Sequence, residues 1–320
     1  MTNTTHRPSD EEIERLIGAL DSLLDGEGAM DQLIAIGPRA VPFLERFLIE
    51  SPPRSLSLPR CRAVRALGAL YAFSSLIKYL RKHVRPSDSV VLFAEDAVRS
   101  AAGRELMQYE NPVTFQVLRD ALEQRATSGL IEALAQYRWP ESVSLLFNLL
   151  EDDLCREDAK AGLRLVPEAA KGYAILLLRG CTPLAIDGPA ASRRRRATLE
   201  LLAEFGIRMN EWPELRRFLE HEDRDCVLSA AILGMSSGPV AERPVIVKAV
   251  LEASKNMNWA QETLATELLD KWPQVARSAA RDVYGIHKGR GERPNWSSPF
   301  WRILHHLLGD ELPGRQHDAA

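Results

Sequence analysis

The sequence predicts an all-α fold made of consecutive helical pairs, and three observations lead to this prediction. Apolar residues recur with the helical period of about 3.6 and not with the strand period of 2. Similar segments return 34 residues apart, as Ala29–Leu33 does in Ala63–Leu67. Prolines recur between one apolar run and the next, where a helix can begin with proline because its first amide has no intrahelical partner. These prolines are Pro38, Pro112, Pro140, Pro167, Pro213, Pro239 and Pro273.

The helices follow from this pattern in chain order. The stretch from Ile13 to Leu24 carries one apolar stripe, which predicts an N-terminal capping helix. The first pair then covers about Ala29–Leu48, and Gly37 ends its first helix. About eight pairs are expected up to Tyr284, after which the apolar residues from Phe300 to Leu308 predict a helix that docks as a C-terminal cap. The predicted parts are a tail and cap at 1–28, a repeat array at 29–284, and a cap and tail at 285–320.

The first pair carries the clearest family resemblance. Its turn reads I-G-P-R-A-V-P-F-L over residues 36–44, and in the array short first helices with inward alanines alternate with Leu-rich second helices. This pattern resembles HEAT repeats, especially the short bacterial variety found in phycobilisome-lyase-type proteins. The fifth, seventh and eighth pairs depart from it, because they lack the Ile-Gly turn. The resemblance implies an α-solenoid, and it implies no single activity, since such arrays serve mostly as binding scaffolds.

Composition excludes several classes of protein. The chain has 320 residues, of which 45% are hydrophobic and 27% charged, with a formal net charge of −3. These values are typical of a globular protein and differ from those of disordered or membrane proteins. No long apolar stretch or signal peptide is evident, so a cytoplasmic location without membrane insertion is expected. The four cysteines are scattered, which predicts reduced and mostly buried thiols.

No pattern of residues indicates catalysis or a cofactor. The seven histidines lack the spacing of metal ligands, and no nucleophile motif or phosphate-binding glycine loop is present. We therefore expect no catalytic residue, no metal and no cofactor. Three Trp-Pro pairs, at Trp139, Trp212 and Trp272, have the spacing of an aromatic ladder, but we favour a role in covering helix ends.

Charge along the chain points to a binding edge. Long connections between pairs are positive, whereas two short connections are negative, so the edge is a patchwork that favours a protein partner over a phosphate backbone. The net charge is +2 in 50–62, +3 in 78–88, +4 in 179–196, +3 in 286–302, and −3 in both 150–157 and 220–225. The predicted contact residues are Arg193, Arg194, Arg195, Arg196, Arg54, Arg60, Lys82 and Arg85.

The sequence therefore predicts a non-catalytic scaffold that binds another protein. One alternative is a nucleic-acid-binding protein resembling the HEAT-like alkylpurine DNA glycosylases, which use a concave basic channel. Another is a lyase or chaperone for a chromophore, as some HEAT-type relatives are. An activated Cys/His pair would favour the chromophore alternative, and none is evident in the sequence.

Overall fold

The computed structural model of the chain describes residues 8–82, 86–180 and 188–312. Within these ranges all regular secondary structure is helical and no strand occurs, which confirms the predicted all-α class. None of the described helices is long and apolar enough to cross a membrane. The chain divides into two compact units, of which the first holds the residues up to Leu146 together with Asp153–Val166. The second holds Phe147–Asp152 and the residues from Pro167 onward.

The first unit is built from two layers of helices. Helices α2, α4, α6, α8 and α10 pack in succession in one layer, and α1, α3, α5 and α7 pack in succession in the other. The helices up to residue 164 are α1 (Asp10–Ala19), α2 (Gly26–Ile36), α3 (Val41–Glu50), α4 (Leu58–Ala69), α5 (Phe73–Arg81), α6 (Ser89–Leu106), α7 (Pro112–Gln124), α8 (Ser128–Gln136), α9 (Pro140–Leu149) and α10 (Arg156–Arg164).

The second unit repeats the two-layer arrangement. Its helices are α11 (Pro167–Arg179), α12 (Pro189–Phe205), α13 (Trp212–Leu215), α14 (Arg224–Ser237), α15 (Arg243–Ala253), α16 (Trp259–Asp270), α17 (Pro273–Gly289) and α18 (Pro299–Leu308). Helices α12, α14, α16 and α18 pack in succession. In the other layer α11 contacts α13, which continues as the 3₁₀ turn Arg216–Glu220, and this turn and α17 contact α15. The last helix packs against α16 and α17, and its Phe300 and Trp301 are buried.

The seven repeated prolines lie where the sequence predicts them, between the two helices of a pair. Pro112, Pro140, Pro167 and Pro273 are the first residues of α7, α9, α11 and α17. Pro38 and Pro213 are the second residues of a 3₁₀ turn and of the short helix α13, and Pro239 directly precedes a 3₁₀ turn. In the pair without a turn proline, α4 instead closes with Tyr71 in the left-handed region, at φ 55°. The amide of Ala72 donates there to the carbonyl of Leu67 at 2.9 Å, which satisfies one carbonyl of the last turn.

The N-terminal stripe ends earlier than predicted. Helix α1 stops at Ala19, and Leu23 and Leu24, expected on its apolar face, are 78% and 93% exposed. Side-chain hydrogen bonds compete here with those of the helix. The Ser22 hydroxyl accepts a hydrogen bond from the amide of Asp25 at 3.0 Å and donates one to the Asp25 carboxylate. This turn redirects the chain before the helical period reaches the two leucines.

Small residues set the distance between successive helices of one layer. Adding a Cβ to Gly129 of α8 would place it 1.9 Å from the carbonyl oxygen of Ser100 in α6, and Gly103 meets α8 in the same way. The amide of Gly129 also donates a hydrogen bond to the Ser100 hydroxyl at 2.7 Å. Buried alanines such as Ala102 and Ala133 continue this close approach. The inward alanines predicted from the sequence therefore allow helix backbones to contact one another.

Helices α8 and α9 offer a test of the assigned register. Replacing Pro140 by alanine is expected to change the free energy of unfolding by about 1 kcal/mol or less, because a first-turn proline acts mainly on the unfolded chain. Leu134 and Leu146 are fully buried, and replacing either by alanine is expected to lower the free energy of unfolding by about 2–5 kcal/mol. Urea denaturation of the three variants would check this order, and a larger loss for Pro140→Ala than for Leu146→Ala would contradict the register.

Candidate functional site

The predicted arginine run lies in the second turn of α12, because this helix begins at Pro189. Two of its members reach the acidic connection that follows α9. The Nε of Arg193 donates to the carbonyl of Glu151 at 2.9 Å, and Nη1 of Arg194 lies 2.8 Å from the Glu151 carboxylate. The negative connection predicted at 150–157 thus supplies partners for half of the run.

The other two members of the run reach the second acidic connection. Arg195 is 3% exposed, and its Nη1 lies 2.8 Å from Nε2 of His221. Arg196 forms an ion pair of 3.1 Å with Asp225, the second residue of α14. Because four consecutive helical residues point in four directions, the run connects two segments of its own unit. Arg195 is buried, so it has no surface to offer a partner.

The remaining predicted contact residues differ in exposure. Arg60 is 6% exposed, forms an ion pair with Glu95 and donates to the carbonyl of Leu48 at 2.8 Å, so it too is part of the interior. Lys82 is exposed and donates to the carbonyl of Ile49. Arg54 is exposed and forms no ion pair with another described residue. Arg85 lies outside the described residues.

A single structural role accounts for many of the cations at the connections. The last carbonyls of a helix have no intrahelical donor and carry the negative end of the helix dipole, so a nearby cation is favourable there. Seven cationic side chains donate to carbonyls at or just beyond the carboxyl end of a helix: Arg60 to Leu48, Arg62 to Leu20, Lys82 to Ile49, Arg99 to Ala121, Arg193 to Glu151, Arg217 to Leu178 and Arg277 to Leu307.

The second unit contains an open groove of about 630 Å³ between the 3₁₀ turn Arg216–Glu220, the start of α14 and one face of α15. We call it the α15 groove. Its apolar lining consists of Leu219, Val227, Val245, Ala249 and Ala253. Alanines on α15 leave the space between the two walls unfilled, and the volume lies within the range of about 300–1,000 Å³ typical of ligand sites.

The arginine run supports one wall of the α15 groove. His221, which lines the groove, is held on one side by Arg195, and its Nδ1 accepts the amide of Asp223 at 3.0 Å. The Asp223 side chain in turn accepts the amide of Asp225 and caps α14. Asp225 is fixed by Arg196 and by Gln261, whose Nε2 donates to it at 2.8 Å. These contacts fix the start of α14 and thereby position Arg224 at the groove.

Charged side chains surround the apolar lining. They are the four cations Arg216, Arg224, Lys248 and Lys255 and the carboxylates Glu220 and Glu252. Arg216 pairs with Glu242 at 3.2 Å and Lys255 with Glu252 at 2.5 Å. Within the described part of the chain, Arg224 and Lys248 form no ion pair. A molecule that enters the groove thus meets two cations whose charge is not already matched.

A second cavity of about 440 Å³ adjoins the other side of α15. It lies between α15 and α17, where Ser278 and Ala279 provide the short side chains, and Lys248 lines both cavities. No residue of either cavity was predicted as a contact residue from the sequence. In the sequence, only the alanines at 249 and 253 could have indicated the groove. Alanines that are buried in the core give the same signal, so the groove could not be recognised from them.

The tryptophans predicted as an alternative site pack within their own units. Trp139 stacks on Phe115 at 4.6 Å and donates to Glu110 at 2.5 Å, whereas Trp272 lies under the guanidinium of Arg243. Trp212 is buried. These contacts agree with the favoured role in covering helix ends.

The described thiols are suited to packing. Burial raises the pKa of the Cys226 thiol to about 12 and also raises the pKa of Cys61. A thiol in this state supplies little thiolate, which is the reactive form. Cys181 lies outside the described residues. Among the described histidines, cysteines and carboxylates, no group of three is placed to hold a metal ion.

A comparison of the chain with models of known protein families found no match, and a search among functionally characterised proteins found none either.

Proposed function

We propose that this chain is a cytoplasmic, non-catalytic HEAT-like α-solenoid scaffold that binds another protein, and that the α15 groove is its contact surface. The observation that carries the proposal is the groove itself, an apolar lining surrounded by charges, which is the usual composition of a protein-binding site. The two-layer succession of helical pairs and the turn sequence at 36–44 support the solenoid and the HEAT-like assignment.

The nucleic-acid alternative has less support. Binding to a phosphate backbone requires cations that are available along a continuous track. Three of the four arginines in the run are bonded to acidic residues or carbonyls of the same unit, and Arg195 is buried. No observation in the described ranges favours a base-binding or chromophore-binding site.

Filling the groove tests the proposal. The variant Ala249→Trp places an indole against the apolar lining, and we expect recovery of bound protein in a pull-down to fall at least about tenfold, the effect of about 1.4 kcal/mol. The matched control is Ala169→Trp, an exposed alanine of α11 outside the groove, which is expected to leave recovery unchanged. Equal recovery by the two variants, with both folded by thermal melting, would show that the groove is not the contact surface.

A further inference from the structure

We infer that the α15 groove binds an acidic segment of a partner protein, in which carboxylates flank one apolar side chain. This inference rests on the proposed function and specifies the chemistry of the partner. The apolar side chain contacts Val245 and Ala249, and the carboxylates pair with Arg224 and Lys248.

The apolar part of the inference follows from burial. Leu219 and Val227 are almost fully buried beneath the groove, while Val245 on the opposite wall is 36% exposed. An apolar side chain that packs against Val245 and the partly exposed Ala249 removes their remaining apolar surface from water, which is the main source of affinity at a central anchor. A strictly polar ligand gains nothing from this lining.

The acidic part follows from charge. Four cations and two carboxylates line the groove, so cations outnumber carboxylates among the lining residues. Arg224 and Lys248 are the two cations without an ion pair among the described residues. Arg224 is the first residue of α14, so the start of this helix fixes its backbone at the groove. Separate carboxylates on a partner find both cations there.

The two carboxylates of the groove lining favour a protein over a nucleic acid as the molecule that binds there. Glu220 and Glu252 line the groove together with the four cations, so these two carboxylates repel a densely charged phosphate backbone. A peptide can place apolar or uncharged residues opposite these carboxylates and acidic residues opposite the cations. An acidic segment with an apolar anchor therefore fits this pattern better than a nucleic acid does.

A library of random peptides displayed on phage, selected on the full-length protein, provides the test. Recovered peptides are expected to show an excess of aspartate and glutamate around a Leu, Ile, Phe or Trp. Their affinity for the variant Arg224→Glu/Lys248→Glu is expected to fall about tenfold or more, since two attractive pairs become repulsive. Glutamate is tolerated at the first residue of a helix and at exposed position 248, so this variant should fold.

A matched control separates the groove from general charge. The variant Arg15→Glu/Arg81→Glu makes the same charge change at two exposed positions of the first unit and should bind the recovered peptides as the unchanged protein does. Equal losses in both double variants would overturn the inference, because general attraction would explain the binding. Competition by duplex DNA for the same two cations would overturn it as well.

The inference and the proposed function fail in different ways. If recovered peptides lose binding to Ala249→Trp but show no excess of carboxylates, or bind Arg224→Glu/Lys248→Glu undiminished, the groove remains a protein-binding site and the acidic segment is wrong. If no peptide is recovered, or none is affected by Ala249→Trp, the groove is not a peptide site, and both proposals fail at this surface.

Discussion

Replacing Arg60 by methionine is expected to lower the free energy of unfolding by about 3–5 kcal/mol. Arg60 and Glu95 form an ion pair whose side chains are 7% and 4% exposed, and Tyr79 donates a hydrogen bond of 2.5 Å to the same carboxylate. Burial, with Glu95 next to the hydroxyl, raises the pKa of Tyr79 well above its usual range. Removing the guanidinium leaves the carboxylate buried without a counter-charge, and urea denaturation would measure the loss.

Two controls make this prediction specific. The double variant Arg60→Met/Glu95→Leu is expected to recover most of the loss, because it removes both charges from the interior. The variant Arg65→Met changes an arginine of the same helix whose side chain is 50% exposed, and it is expected to cost about 1 kcal/mol or less. If Arg60→Met were no more costly than Arg65→Met, the Arg60–Glu95 pair would not be buried as described.

Replacing Trp212 by alanine is expected to lower the free energy of unfolding by about 3–5 kcal/mol. Trp212 is 1% exposed and packs against Gly234 of α14, where an added Cβ would lie 2.4 Å from the indole. The truncation leaves a cavity between α13, α14 and α15 that backbone movement fills only in part. Thermal and urea unfolding of the purified variant would measure the effect.

Two further variants separate the packing of Trp212 from its polar group. The indole Nε1 is buried, and no described residue accepts a hydrogen bond from it. Trp212→Phe keeps an aromatic ring and removes this unpaired N–H, so it is expected to cost clearly less than Trp212→Ala. Trp259, which is 79% exposed, is the matched control, and Trp259→Ala is expected to stay within about 0.5 kcal/mol. Similar losses at positions 212 and 259 would contradict the assigned burial.

The helical pairs could be predicted from the sequence because each depends on local features. A proline such as Pro112 at a helix start, Gly37 at φ 80° after α2, and the apolar period are all determined within a few residues. The same period gave a wrong prediction at Leu23 and Leu24. The apolar pattern continues through these residues, although the hydrogen bonds of the Ser22 turn end the helix before them. Local features thus predict elements better than their exact ends.

The candidate site could not be predicted in this way, because it depends on which segments meet. Counting charges along the sequence predicts that Arg60 and Arg195 are surface cations. In the structure both are buried. Arg60 pairs with Glu95, 35 residues away, and Arg195 contacts His221, 26 residues away. In the same way, Ala249 and Lys248 are ordinary helix residues until the 3₁₀ turn before α14 is placed opposite them. Recognising the groove requires the packing of α15 as well as its sequence.

The bonds from cations to helix-end carbonyls have a consequence in acid. Arg104 lowers the pKa of Glu132, and Arg281 lowers that of Glu311, through direct hydrogen bonds. The stability from such carboxylates is complete above their ordinary pKa and is lost as the pH falls through the lowered value. A peptide carbonyl does not titrate in this range, and arginine keeps its proton. Arg62 on Leu20, Arg99 on Ala121 and Arg277 on Leu307 therefore keep their bonds after the carboxylate pairs are gone. Acid thus removes the ion pairs before it loosens the helix ends.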